Sequence, residues 1–205
     1  MTAEKAKVLL VQPSWSSVHG SFAGVAAKKL FLPPIGICYL AASLSRAGYG
    51  VEMLDLEAGR MSLRETLERI GRARPGLLGV TATTPAYSLA REFCGAVKEA
   101  LPGLPIVIGG PHVSGTGAEE LDDVFDFALL GESELSLPLL ADAVRNGGGY
   151  EEVPGLAYRS GGILRRTPRG PLIEDLDGIP FPRRDLLDVG AYATFVPGKG
   201  LRDRK

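Results

Sequence analysis

Apolar residues fall along this chain in short unbroken runs, separated by longer stretches with helical periodicity. Lys7–Val11, Val51–Asp55, Leu77–Thr81, Pro105–Ile108 and Phe125–Leu130 each have the length of a strand. Continuous rather than alternating apolar character marks strands covered on both faces, as in a parallel sheet. Between them the period changes. Pro34 to Ala47 reads as a helix, with proline suited to its first turn and Gly48 closing it. Ser62 with Glu65 three residues on has capping-box spacing, and Leu63, Leu67 and Ile70 form one face of the helix that follows, which stops near Pro75. Ala86 to Ala100 carries Leu89, Phe93 and Val97 at four-residue spacing. A short helix is expected around Gly117–Asp122, and Ser133 is expected to cap a helix reaching about Arg145 and ended by Gly147–Gly149.

This alternation predicts an α/β fold, a doubly wound five-stranded parallel sheet of Rossmann-like or flavodoxin-like type with helices on both faces. The unit is expected to occupy residues 1–150. Residues 151–205 differ. Leu156–Arg159 and Ile163–Arg165 flank Ser160-Gly161-Gly162, a β-hairpin signal with glycines in the turn. From 169 to 205 the chain is rich in Pro, Arg and Asp and reads as an extended linker or docking tail. Residues 12–33 are long for a strand-to-helix connection, which points to a functional or mobile loop.

Composition narrows the function classes. The 205 residues are 45% hydrophobic and 23% charged, with formal net charge −1. That balance suggests neither a nucleic-acid nor a membrane partner. No apolar run approaches the ~20 residues of a membrane span, and no signal peptide is visible, so a cytoplasmic location is expected. Cys38 and Cys94 lie far apart and fit no metal spacing, so no metal site is expected.

Ligands of a doubly wound sheet bind at the carboxyl ends of its strands. Here those ends carry Gln12-Pro13-Ser14, Asp55, Thr81-Ala82-Thr83-Thr84-Pro85, Gly109-Gly110-Pro111-His112 and Gly131-Glu132-Ser133. Adjacent glycines let a large group lie against bare backbone. Helix N-termini offer N–H groups to a phosphate or a ring edge. Each cluster also has a plain reading: threonines capping a helix, glycines making a tight turn, an exposed loop histidine, a glutamate complementing a helix dipole. Their convergence on one sheet edge favours a bulky nucleotide-like cofactor. The nicotinamide fingerprint GxGxxG is absent from the first loop, which has only Gly20 and Gly24. No P-loop occurs, and neither His19 nor His112 sits in a hydrolase context.

Read together, these segments resemble the N-terminal cobalamin-binding domain of the class B, cobalamin-dependent radical S-adenosylmethionine enzymes. The matching stretches are 33–42 with 47–49, 79–85, 107–112, 130–134, 153–158, 173–177 and 179–182 with Asp185. Their order and spacing carry the match, which spans about residues 6–192. The resemblance implies bound cobalamin, with its dimethylbenzimidazole displaced from cobalt and no histidine in its place. It implies cofactor contacts from Ser14, Trp15, Thr81, Thr83, Thr84, Gly109, Gly110, Pro111, His112, Gly131 and Glu132. Ser14 and Trp15 would lie near the lower corrin face, and Gly131 and Glu132 at the nucleotide end.

Two departures qualify it. The Asp-x-His-x-x-Gly motif of methionine-synthase-type cobalamin domains is missing after the first strand, and Gly110–Gly115 mimics its spacing after the wrong strand. The CxxxCxxC motif that holds a [4Fe–4S] cluster is also absent. Cluster and S-adenosylmethionine therefore belong to a radical S-adenosylmethionine catalytic domain, in cis or in trans, and this chain is expected to bind and not to catalyse. Its parent reaction is expected to be of methyltransferase type. The alternatives are a cofactor-free docking scaffold of the same fold and, less well matched, a receiver-like signalling module. An open or a filled slot beside Gly109 and Gly110, with Tyr87 and Phe22 the bulky candidates to fill it, separates carrier from scaffold.

Overall fold

The first apolar run forms strand β1, Lys5–Gln12, and the run at Tyr49–Asp55 forms β2. Strands β3 (Leu77–Thr81), β4 (Ile106–Gly109) and β5 (Phe127–Leu129) follow. All five pair in parallel in the order β2-β1-β3-β4-β5. This computed structural model describes residues 5–14, 33–59, 61–119, 121–192, 194–196 and 200–202. Trp15, His19 and Phe22 lie outside them.

The hairpin expected after residue 150 is present, and its strands join the same sheet. β6 (Leu156–Ser160) pairs antiparallel with β5, and β7 (Ile163–Arg166) pairs antiparallel with β6. The five-stranded parallel sheet thus becomes a seven-stranded mixed one. The two-residue turn needs positive φ at both positions, and Gly161 and Gly162 supply +59° and +79°. A separate two-stranded ribbon pairs β8 (Thr194–Val196) with β9 (Gly200–Arg202).

Strand side chains alternate between two cores. Leu9, Val11, Leu78, Val80, Ile106, Ile108 and Ala128 face one side. Helices α3 (Leu63–Ala73) and α4 (Tyr87–Ala100) cover it, after the short α2 (Leu56–Gly59). Val8, Leu10, Met53, Leu77, Val107, Phe127 and Leu129 face the other side, under α1 (Ile35–Arg46) and α6 (Ser136–Asn146). Burying each such Val, Leu, Ile, Met or Phe side chain contributes ~1.5–3 kcal/mol.

The helix starts and stops follow the sequence with informative exceptions. The Ser62–Glu65 capping box forms in both directions. Leu63, however, occupies the first helical position and stays 51% exposed, while Thr66 and Ile70 carry the buried stripe. The helix expected at 117–122 lies earlier, as α5 (Pro111–Thr116): Pro111 suits its first turn, and Gly117 at φ +69° ends it. Helix α6 begins at Ser136, so Ser133 does not cap it; the Ser133 hydroxyl donates to Gly131 O at 3.4 Å instead.

Two sets of contacts tie down the C-terminal part. Guanidiniums of the hairpin and its exit reach main-chain carbonyls of the 114–121 stretch: Arg159 to Leu121, Arg166 to Ala118 and Glu119, Arg169 to Ser114. The tail after residue 169 is an anchored strap. Ile173 N donates to Glu132 Oε2 at 3.0 Å, and Arg46 reaches Gly178 O. Arg183 N donates to Cys38 O, and the Arg183 side chain bonds Ser45 and Asp185. Leu186 and Leu187 pack on the α1–α6 core, and Tyr192 donates to Asp55 Oδ2 at 2.7 Å.

Candidate functional site

Alternation decides which strand-end residues meet. On the α1–α6 face, the upper ends of the strands present Leu10 and Gln12, Gly79 and Thr81, Val107 and Gly109, and Leu129. All seven line one cavity of about 420 Å³ at the carboxyl edge. Ile37 and Leu40 of α1 and Leu137 of α6 form its walls. The volume lies within the ~300–1,000 Å³ of small-molecule pockets.

Gly79 sets the depth of this slot. It sits between Leu10 and Val107 in register, and a Cβ there would lie 2.7 Å from Leu10 Cδ2. A larger residue would push Leu10 off its place on the cavity floor. Gly109 shares this face, and a Cβ on it would meet only Leu129 O, at 3.7 Å. Gly110 serves another purpose. At φ +98° its missing Cβ would lie 2.5 Å from Thr81 Oγ1 and 2.8 Å from Ala82 O. The sequence gives the pair one role, clearance for a ligand. In the structure Gly109 clears the slot, and Gly110 allows the ends of β3 and β4 to touch.

The lip carries the polar groups. Thr83 precedes a short 3-10 turn leading into α4, yet its side chain makes no capping bond. Its hydroxyl oxygen is sealed from solvent and hydrogen-bonds nothing. Such a group is costly unless a ligand satisfies it. Thr81, Gly110, Pro111, Gly131 and Glu132 complete the lip, with Ser133 and Glu134. Gly131 N donates to Ser114 Oγ at 2.9 Å, which fixes the β5 exit. Pro34 and Gly36 bring the N-terminal turn of α1 to the cavity, and no acidic side chain occupies that turn. A helix N-terminus of this kind favours a negatively charged group.

Of the residues expected to contact a cofactor, Thr81, Thr83, Gly109, Gly110, Pro111, Gly131 and Glu132 come together here. Thr84 and His112 stand behind the lip and bond each other, with Nδ1 3.3 Å from Thr84 Oγ1. Ser14 is elsewhere: its hydroxyl donates to Glu57 Oε2 at 2.7 Å, on the α3–α4 side of the sheet. Trp15 falls outside the described residues. Gln12, named among the strand ends, lines the slot as well; sequence reasoning did not single out Gly79 or the α1 residues Pro34, Gly36, Ile37 and Leu40 as cofactor contacts. Strand parity carried through Leu10 and Val107 would have found Gly79.

The cysteines take no part. Both are free and buried. Burial raises the Cys38 thiol and pushes Cys94 up to about 12, so neither is a ready thiolate. Among the described residues no cluster of His, Cys, Asp and Glu is arranged to hold a metal ion, and no helix is long and apolar enough to cross a membrane.

Comparison with known proteins agrees with this geometry. Residues 23–141 match the B12 binding domain family. An uncharacterised methyltransferase of Pyrococcus horikoshii is 33% identical over 194 residues, covering 93% of this chain and 41% of that protein. The radical S-adenosylmethionine methyltransferase TsrM of Kitasatospora setae, solved with cobalamin and a [4Fe–4S] cluster, superposes with a TM-score of 0.65 at 25% identity, covering 80% of this chain and 31% of TsrM. The cobalamin-dependent radical enzyme OxsB, solved with aqua-cobalamin and S-adenosylmethionine, shares the fold at a TM-score of 0.73 and 17% identity, over 92% of this chain and 25% of OxsB. The chain therefore spans well under half the length of these relatives. With its B12-binding match and its strand-edge slot, the chain belongs to the B12 binding domain family, in the form carried by cobalamin-dependent radical S-adenosylmethionine enzymes.

Proposed function

We propose that this chain holds cobalamin by the nucleotide tail, with the dimethylbenzimidazole drawn away from cobalt into the slot above Gly79. The observation that carries this reading is the open, glycine-floored cavity with the unpartnered Thr83 hydroxyl at its lip. The cavity suits a flat bicyclic base with its ribose and is too small for a corrin ring. Leu10, Ile37, Val107, Leu129 and Leu137 would enclose the base. Thr83 would bond the ribose or the base edge, and the α1 N-terminal turn would face the phosphate. Glu132, held in place by Ile173 N, would accept from a ribose hydroxyl. In this reading no histidine takes the place of the base on cobalt; the His112 ring turns toward Thr84, off the slot. Bound cobalamin would supply a cobalt centre able to carry a methyl group or electrons.

Residues 1–150 act in this reading as the binding unit. The hairpin and strap of 151–205 lead toward a radical S-adenosylmethionine catalytic domain, in cis or in trans. The chain by itself binds and does not catalyse, and the reaction it serves is methyl transfer. A cofactor-free scaffold would be expected to fill its slot with bulky side chains. Of the two bulky candidates, Tyr87 turns its hydroxyl to Asp122, 2.6 Å away and off the cavity, and Phe22 lies outside the described residues.

The test is an absorbance titration with hydroxocobalamin followed by desalting. The expected result is one retained equivalent with the spectrum of cobalamin whose base has left cobalt. A colourless protein overturns the reading. Gly109→Trp, which places an indole in the slot, is expected to stay folded and to lose retention.

A further inference from the structure

His112 has no role in the slot itself. Gly110 and Pro111 before it border the cavity, as do Thr81 and Thr83 across from it, but the imidazole does not. It lies behind the lip, with Nδ1 3.3 Å from Thr84 Oγ1. Its ring packs on Tyr87 with centroids 4.1 Å apart and planes at 35°. Tyr87 is itself fixed, by its bond to Asp122 and by Phe125, whose ring centroid is 6.1 Å away. The main chain runs the same way. Ala82 N donates to Gly109 O at 3.0 Å, and His112 N donates to Ala82 O at 3.2 Å. These bonds carry the contact between β3 and β4 past the last register pair, Thr81 with Gly109.

A side chain placed past the end of a strand ladder has freedom to lose on binding. Thr83 sits between two held residues, Ala82 through its main chain and Thr84 through the imidazole, while its own hydroxyl bonds nothing. We propose that His112 is a positioning residue: by clamping Thr84 against Tyr87 it fixes the Thr83 hydroxyl for the ligand, and it does not touch the ligand. This rests on the cobalamin reading above.

The experiment is a double-mutant cycle on hydroxocobalamin affinity with His112→Ala, Thr83→Val and the pair. His112→Ala is expected to weaken binding about fivefold to tenfold, the effect of losing one well-placed hydrogen bond. His112→Phe keeps the ring on Tyr87 and is expected to fall between His112→Ala and the wild type. The double variant is expected to bind no worse than Thr83→Val alone, because the clamp acts through that hydroxyl. A double variant weakened by the product of the two single effects overturns the proposal, as does wild-type affinity in His112→Ala. Amide exchange of the cofactor-free protein gives an independent readout. His112→Ala is expected to speed exchange in residues 81–86 while the melting temperature stays within a few degrees of wild type, and unchanged exchange overturns the clamp. A wild-type protein that retains no cobalamin sinks the cofactor reading alone, and exchange then decides the clamp.

Discussion

At the scale of single residues, the site rests on two glycines and a threonine, each for a different physical reason. Gly110 holds φ +98° with backbone and hydroxyl atoms inside 3 Å of where a Cβ would go. Gly110→Ala is therefore expected to cost about 2 kcal/mol or more, read as a lower urea midpoint. Gly79 faces only the flexible end of Leu10 at close range. Gly79→Ala is expected to cost less stability and more binding, because Leu10 yields into the slot. Thr83→Val removes a buried hydroxyl that has no partner. It is expected to leave stability unchanged or slightly raised while it weakens cobalamin retention. A calorimetric melt beside the absorbance titration separates these two effects. The sequence named Thr83, Gly109 and Gly110 because strand-end glycines and hydroxyls are visible without coordinates. It missed Gly79 because a glycine inside an apolar run looks like any other strand residue until its neighbours Leu10 and Val107 are known.

At the scale of elements, the five parallel strands and the main helices were legible because buried strands are continuous apolar runs and helices keep a 3.6-residue period. Short elements were not. The helix at 111–116 lies before the expected position of 117–122; Pro111 opens it and Gly117 ends it, and so short a segment shows no apolar period that would place it. The joining of the hairpin to β5 was invisible, since pairing partners are set by three-dimensional packing and not by local pattern. Electrostatics also ties elements together. Burial pushes the Asp142 carboxyl on α6 up, but hydrogen bonds from Tyr49 and Lys5, with the charges of Lys5 and Arg145, outweigh it and hold it below the ordinary aspartate value. A carboxyl lowered in the folded state stabilises above its unfolded value, near pH 4, and loses that contribution as pH falls through the folded one. Wild type is therefore expected to lose stability more steeply than Asp142→Asn below about pH 4, as followed by acid unfolding.

At the scale of the whole molecule, residues 169–192 read in the sequence as a linker because proline, arginine and aspartate dominate there. Its anchors are dispersed single residues with no period, which is why pattern could not reveal them. Tyr192 reaches back to Asp55 at the end of β2, and burial with that carboxylate raises its phenol. Tyr192→Phe is expected to lower stability by about 1 kcal/mol, measured by chemical denaturation. The hairpin arginines have a different consequence. Arg159, Arg166 and Arg169 grip Leu121, Ala118, Glu119 and Ser114 by their carbonyl oxygens, which every amino acid provides. The exposed Glu119, gripped by its carbonyl, can thus change its side chain and keep its path, while Ala118 and Leu121 are buried in the core and Ser114 holds Gly131 N; new surface chemistry beside the slot is open to that exposed position without disturbing the residues that form it.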